Sequence, residues 1–327
     1  MRYLYFVLFV FFIASCDDGD LQIETIDFDS NAVQFCADEP SGVDETVFFK
    51  INGDEALALT LQANLLANVT SVDGSISSSF PGASQLIYRL FSDNITLNYF
   101  CDDIPPITPT VLNEFSAEGG DLMITSTVSA VSESTKTYSH NITISNLSLT
   151  NDNNERLTDT SGLDFGAYTT TTDSSVALLF ANYNDETAVA CTTAPVTGQL
   201  RVYKLLNDEA LVLDLPEELL LNEATATPRT ADLLAQASLT NTILNTEITA
   251  DLVCTNTFSD EILINQFVST EGTISVTTVE NAPDADGIVS YTHTITLTAF
   301  QLRDVNADLI TTEIATYSFG TLTTFTN

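Results

Sequence analysis

Tryptophan is missing altogether from the 327 residues, histidine occurs twice, and lysine and arginine together number only nine. Against those nine bases stand 45 Asp and Glu, for a formal charge of -36. Such a balance repels phosphate backbones and anionic lipid headgroups, so nucleic acid is excluded as a simple partner. Without tryptophan, only Tyr and Phe are left to supply the flat rings on which sugars stack. No Cys-x-x-Cys pair, Gly-rich phosphate loop, His-Glu-x-x-His or Gly-x-Ser-x-Gly is present, which removes the common signatures of zinc, nucleotide and serine-hydrolase chemistry. No apolar run approaches the roughly twenty residues needed to cross a bilayer as a helix.

The longest apolar run, Tyr3 to Ile13, follows Met1-Arg2 and precedes Ala14-Ser15-Cys16. A cationic start, a short apolar stretch and small residues before a cut read as a cleaved secretory signal over residues 1-15. Ile13-Ala14-Ser15-Cys16 resembles the bacterial lipobox, which implies that Cys16 carries the lipid of a membrane anchor. Stable attachment takes more than one acyl chain. The run Asp17-Asp18-Gly19-Asp20 resembles the acidic signal that Bacteroidota place on surface-exposed lipoproteins. In enteric bacteria an aspartate there implies inner-membrane retention instead, and an acidic tether without a sorting role is the third reading. The expected location is the outer membrane, exposed at the surface rather than facing the periplasm.

Behind residues 16-20 the chain repeats itself at an offset of 153 to 155, the first thing to look for in a sequence of this kind. Tyr138-Ser139-His140-Asn141-Ile142-Thr143-Ile144 answers to Tyr291-Thr292-His293-Thr294-Ile295-Thr296-Leu297, and Asp54-Glu55-Ala56-Leu57 to Asp208-Glu209-Ala210-Leu211. Lys50 matches Lys204, Asn68 matches Asn222, and Phe165-Gly166 matches Phe319-Gly320. These matches define a first domain at 21-170, a linker at 171-175 and a second domain at 176-327. Period-two alternation around both histidines, the Asn52-Gly53 turn and abundant Thr, Val and Ile predict strands. Roughly eight short strands per repeat make an all-β protein of two tandem sandwiches. Pro216-Glu217-Glu218 predicts one helical turn that the first repeat lacks.

Four further cysteines are an even set in an oxidising compartment. They align as Cys36 with Cys191 and Cys101 with Cys254. Of three possible connectivities, only Cys36 to Cys101 with Cys191 to Cys254 lets both repeats fold alike and alone. The layout resembles an immunoglobulin-type sandwich with its inter-sheet disulfide, though without the tryptophan that usually packs on that bond.

His140 and His293 hold the same place in both repeats and are candidates for a base or ligand. Their strand phase sets them beside Tyr and aliphatic residues, so they are expected to be hydrogen-bonded core histidines. Lys50 and Lys204 are expected to be paired or snorkelling. Asp54-Glu55 and Asp208-Glu209 are expected to be solvated turn acids. Asp284-Ala285-Asp286-Gly287 offers a faint calcium loop, but Ala282 and His293 stand where both acidic end ligands belong, so an Asp-Gly turn is preferred. No carboxylate pair stands out for hydrolysis.

The whole pattern resembles an uncharacterised group of flavobacterial surface lipoproteins carrying one or two copies of this unit. That group brings no known activity with it; the anchor, the tandem architecture without catalytic motifs and the strong negative charge lead to the expectation of a membrane-anchored, non-enzymatic binding or scaffolding module with no cofactor, calcium being the weak alternative. Its partners are the membrane, through Cys16, and an unspecified protein or glycan. The alternative is an accessory glycan-binding or hydrolytic lipoprotein of a nutrient-uptake system.

Overall fold

Alternating β-branched and polar residues dictate extended chain whose two faces differ, and the burial pattern follows that alternation strand by strand. The computed structural model describes residues 21-22, 26-36, 47-71, 76-102, 104-132, 135-172, 180-193, 195-306 and 310-325. The leader, Cys16, Asp17 to Asp20 and the linker residues Asp173 to Ser175 lie outside them. Two antiparallel sheets hold most of the rest, so the protein is all-β.

The first sheet contains β1 (Leu21–Gln22), β2 (Val47–Asn52), β3 (Glu55–Thr60), β4 (Ile76–Phe80), β5 (Gln85–Phe91), β6 (Val111–Val131), β7 (Lys136–Thr150), β8 (Arg156–Asp159) and β9 (Leu163–Thr171). Its order is β1-β8-β7-β6-β5-β3-β2, with β4 added on β6 and β9 on β7. The two-residue β1 pairs with β8 in parallel. The second contains β10 (Val189–Ala190), β11 (Gln199–Leu205), β12 (Glu209–Pro216), β13 (Arg229–Asp232), β14 (Ser238–Leu244), β15 (Leu263–Glu280), β16 (Ser290–Asp304) and β17 (Ile314–Phe325). Its order is β10-β11-β12-β14-β15-β16-β17, with β13 added on β15. From β2 and β11 onward the two orders correspond: β3 with β12, β4 with β13, β5 with β14, β6 with β15, β7 with β16 and β9 with β17.

The strands depart from the expected short lengths at these corresponding places. β6 runs for 21 residues and β15 for 18. A strand that long can serve two neighbours in succession, and β15 does, pairing with β14 through Leu263 to Val268 and with β13 through Thr273 to Val276. Between those stretches its pairing with β16 slips at Glu271, and Gly272 adopts a φ of +125°. A Cβ there would lie 2.5 Å from Phe300 Cβ and 2.9 Å from Leu233 Cδ1. Glycine is required for both the backbone angle and the close approach. The bend curls the sheet around its own apolar face. Val202, Leu213, Leu239, Phe267, Ile274, Leu297 and Phe319 are all sealed within that core.

By packing, the described chain forms two compact units. One is drawn from residues up to 67, 75–125 and 140–168, the other from 68–74, 126–139 and 169 onward. The second unit therefore includes the far ends of β6 and β7. The predicted helical turn at Pro216 is present as a 3-10 turn over Glu217–Leu220.

Disulfides join Cys36 to Cys101 and Cys191 to Cys254, with Cα separations of 5.3 and 5.6 Å. Each ties a segment next to the edge of its sheet to a short helix, α1 (Asn98–Cys101) and α2 (Ala250–Thr255). Closing loops of 65 and 63 residues restricts the unfolded chain by about 4 kcal/mol each on the chain-entropy model.

Candidate functional site

The four residues singled out from the sequence prove to be interior groups. Lys50 on β2 and Lys204 on β11 are each 2% exposed, which corrects the expectation of snorkelling or paired surface lysines. Lys50 Nζ donates to the carbonyl of Asp164 at 3.0 Å and lies 5.9 Å from the ring centre of Phe165. Lys204 Nζ donates to the carbonyl of Tyr183 at 2.7 Å and lies 5.6 and 5.9 Å from the rings of Tyr317 and Phe319. Among the described residues, neither ammonium has a carboxylate within ion-pair distance. Burial lowers both pKa values, and nearby carboxylates, Asp164 for Lys50 and Glu186 for Lys204, oppose the shift. The aromatic faces replace part of the lost hydration. Gly320, following Phe319, has a φ of +132°, and a Cβ there would sit 3.1 Å from Ala188 Cβ, so glycine suits both the backbone angle and the close approach.

His140 and His293 are completely buried. Burial lowers the pKa of His140 to about 4. His293 is lowered by burial first and by Arg229 second. Around His293 the hydrogen bonds form one directed chain. Arg229 Nη1 donates to Thr278 Oγ1 at 3.1 Å, and Thr278 Oγ1 lies 2.9 Å from His293 Nδ1. His293 Nε2 lies 2.8 Å from Thr324 Oγ1. Thr324 Oγ1 donates to Asn222 Oδ1, whose amide nitrogen donates to the carbonyl of Phe325 at 3.1 Å. Since Thr278 accepts from arginine it donates to Nδ1, and Nε2 then carries the single ring proton. A neutral imidazole satisfies every link.

The matched residues of the first repeat reproduce the ends of that chain. Thr170 Oγ1 donates to Asn68 Oδ1 as Thr324 does to Asn222. Ser126 N donates to Ser71 Oγ at 2.8 Å as Thr278 N does to Thr225 Oγ1 at 2.9 Å. Arg229 is the exception, with Ile76 or its neighbour in the equivalent place.

A second polar cluster was not foreseen. Asp208 and Glu209, expected to be solvated turn acids, are 4% and 7% exposed. Lys136 Nζ contacts Asp208 Oδ2 and reaches Glu209 Oε1 at 2.6 Å. Tyr183 donates to Glu209 Oε2 at 3.2 Å, and Asn241 Nδ2 lies 3.2 Å from Tyr183 Oη and 3.5 Å from Glu209 Oε2. All of these groups belong to the second unit. Their counterparts differ: Asp54 is exposed and Val289 stands where Lys136 would be. Arg201 was missed as well. It grips Asp214 through two bonds of 2.7 and 2.6 Å and donates to the Val253 carbonyl of α2 at 2.8 Å. Scarcity was the available signal, because nine bases stand against 45 acids.

Asp284 turns its carboxylate onto its own backbone, accepting from the amides of Asp286 and Ile288 at 2.9 Å each, as an Asp-Gly turn does. Among the described residues no group of three or more His, Cys, Asp or Glu converges in metal-holding geometry. The residues thus gathered hold protons and hydrogen bonds in fixed places inside the fold. In comparison with known protein families, curated proteins and solved structures, nothing matches this chain.

Proposed function

We propose that this protein is a surface lipoprotein of the outer membrane, held by lipid on Cys16, whose two repeats act as a non-enzymatic binding or scaffolding module. The observation that carries this reading is the matched pair of disulfides. Bonds of this kind persist in oxidising compartments, and the signal-like residues 1–15 with the lipobox at Cys16 lead to such a compartment. The corresponding strand orders of the two sheets support a tandem duplication of one curled, sandwich-like unit, with the immunoglobulin-type layout as its nearest analogue. The test is partition and accessibility in cells expressing the full chain. The native chain should sediment with membranes and be trimmed by protease added to intact cells, while Cys16→Ser should be released. Membrane retention of that variant refutes the anchor, and protection until lysis refutes surface exposure.

One observation favours the second reading, an accessory glycan-binding or hydrolytic lipoprotein. On the outward side of β15, β16 and β17, Thr277, Thr294 and Thr321 share one cross-strand row, and Thr273, Thr298 and Thr316 share another. Neither row contains a charge, in a chain of formal charge -36, and Phe325, four residues beyond Thr321 on β17, is 60% exposed. A neutral, hydroxyl-lined sheet face with one exposed ring suits an uncharged glycan. Binding to a panel of neutral polysaccharides, lost in Phe325→Ala, supports this reading; no binding across the panel refutes it.

A further inference from the structure

The buried cluster at the turn between β11 and β12 holds unequal charge. Lys136 is its one cation and Asp208 and Glu209 are its two carboxylates, with side chains 6%, 6% and 9% exposed. Facing them are the phenols of Tyr138 on β7 and Tyr183 on the 3-10 turn Phe180–Tyr183, and the neutral amide of Asn241 on β14. Lys204, the nearest other base on β11, is engaged with the Tyr183 carbonyl. Fully ionised, the site would keep one negative charge out of water without a counter-charge. An unpaired buried charge is costly enough that the group takes a proton instead.

The partners decide which carboxylate takes it. Glu209 accepts from Lys136, from the Tyr183 hydroxyl and from the Asn241 amide, so both of its oxygens are already engaged by donors. The Asp208 side chain has Lys136 as its charged partner and beyond that its own backbone amide. We propose that this cluster is a one-proton switch, in which Asp208 binds a proton in mild acid and thereby tightens the packing of the β6–β7 end, residues 126–139, within the second unit. Burial raises the Asp208 pKa, and Lys136 offsets that only in part. Against its burial, the carboxylates of Glu209 and Asp208 hold the Lys136 pKa above its ordinary value, so it keeps its charge throughout.

The sign follows from linkage. A carboxyl whose native pKa lies above its unfolded value of about 3.9 stabilises the fold below that value and loses the contribution as pH rises through the native one. The switch is therefore tight in mild acid and loosened at neutral pH, opposite to the behaviour of an ordinary paired carboxylate.

Asp208→Asn fixes the site in its neutral form and keeps an oxygen for Lys136. In the full chain at pH 7.5 it should raise the melting temperature and slow amide exchange at Lys136 to Tyr138 about tenfold. A tenfold gain in the folding equilibrium is worth roughly 3–6 °C in a unit of this size. The gap between variant and native protein should close as pH falls toward the unfolded value of about 3.9. A variant no more stable than the native protein at pH 7.5, or an advantage independent of pH, overturns the proposal. Carbon NMR titration of the Asp208 carboxyl in the unaltered protein tests the switch without any variant. A midpoint well above 3.9 is expected, and one at or below it overturns the switch.

Discussion

Protonating His140 should unfold the protein in a way that replacing it prevents. The imidazole is fully buried on β7, and its pKa is lowered to about 4 from an ordinary 6.5. A base with a depressed native pKa binds fewer protons folded than unfolded. It therefore leaves stability intact above 6.5 and removes it progressively as pH falls toward 4. Integrating between pH 7.5 and 4.5 gives a loss of about 2.5 kcal/mol from this one side chain. His140→Gln removes that titration while keeping a polar group of similar reach. The assay is urea unfolding of both proteins at pH 7.5 and 4.5, comparing the gap between them at each pH so that the many carboxylates cancel. At pH 7.5 the variant should be the less stable, since a buried partner loses its hydrogen bond at a cost of about 1–3 kcal/mol. At pH 4.5 the gap should shrink by about 2.5 kcal/mol or reverse. A gap that is the same at both pH values refutes the claim that the folded protein keeps this imidazole neutral.

Replacing Cys191 and Cys254 together by alanine should lower the stability of the second unit by about 4 kcal/mol, read as a fall in urea midpoint without loss of the Cys36–Cys101 bond by mass spectrometry. Gly272→Ala should cost about 3 kcal/mol or more, because its Cβ meets Phe300 and its φ is positive. A midpoint within experimental error of the native protein would show that the β15 bend does not depend on that glycine.

The all-β class and the cysteine pairing were legible, the first from strand alternation and the second from the even set of four cysteines. Strand phase placed the histidines inside, and the same logic was available for the lysines. Lys50 lies two residues from Phe48 and Lys204 two from Val202, both sealed in the core, so period two puts the ammoniums inward as well. The snorkelling expectation gave charge type precedence over phase, and phase prevailed because a carbonyl and aromatic faces were waiting. The fate of Asp208-Glu209 was not legible. Asp54-Glu55 has the same residues in the same turn yet keeps Asp54 in water. The difference is Lys136, more than seventy residues away in the chain, a non-local contact that no window around the turn contains. Strand lengths escaped for a related reason, since a bend at glycine lets one strand serve two neighbours where the sequence suggests a break.

The placement of the bases determines how the rest of the surface behaves. Of nine lysines and arginines in the chain, Lys50, Lys136, Arg201 and Lys204 are buried. Among the described acids, Asp208 and Glu209 are buried with Lys136, Asp159 and Asp304 are buried elsewhere, and Asp214 is held by Arg201. The exterior is thus more one-sidedly acidic than composition implies, and its carboxylates repel one another across distances that salt screens, with a Debye length of about 30 Å at 0.01 M falling to about 8 Å at 0.15 M. Buried pairs are screened far less. Adding sodium chloride from 0.01 to 0.5 M at pH 7.5 should therefore raise the melting temperature, with most of the rise complete by about 0.15 M. The Asp208→Asn advantage should persist, because it arises where ions do not reach. A melting temperature that falls with salt would mean that attractive surface pairs outweigh repulsion, and among the described residues the four bases outside the core, Arg89, Arg156, Arg229 and Arg303, are too few to do so.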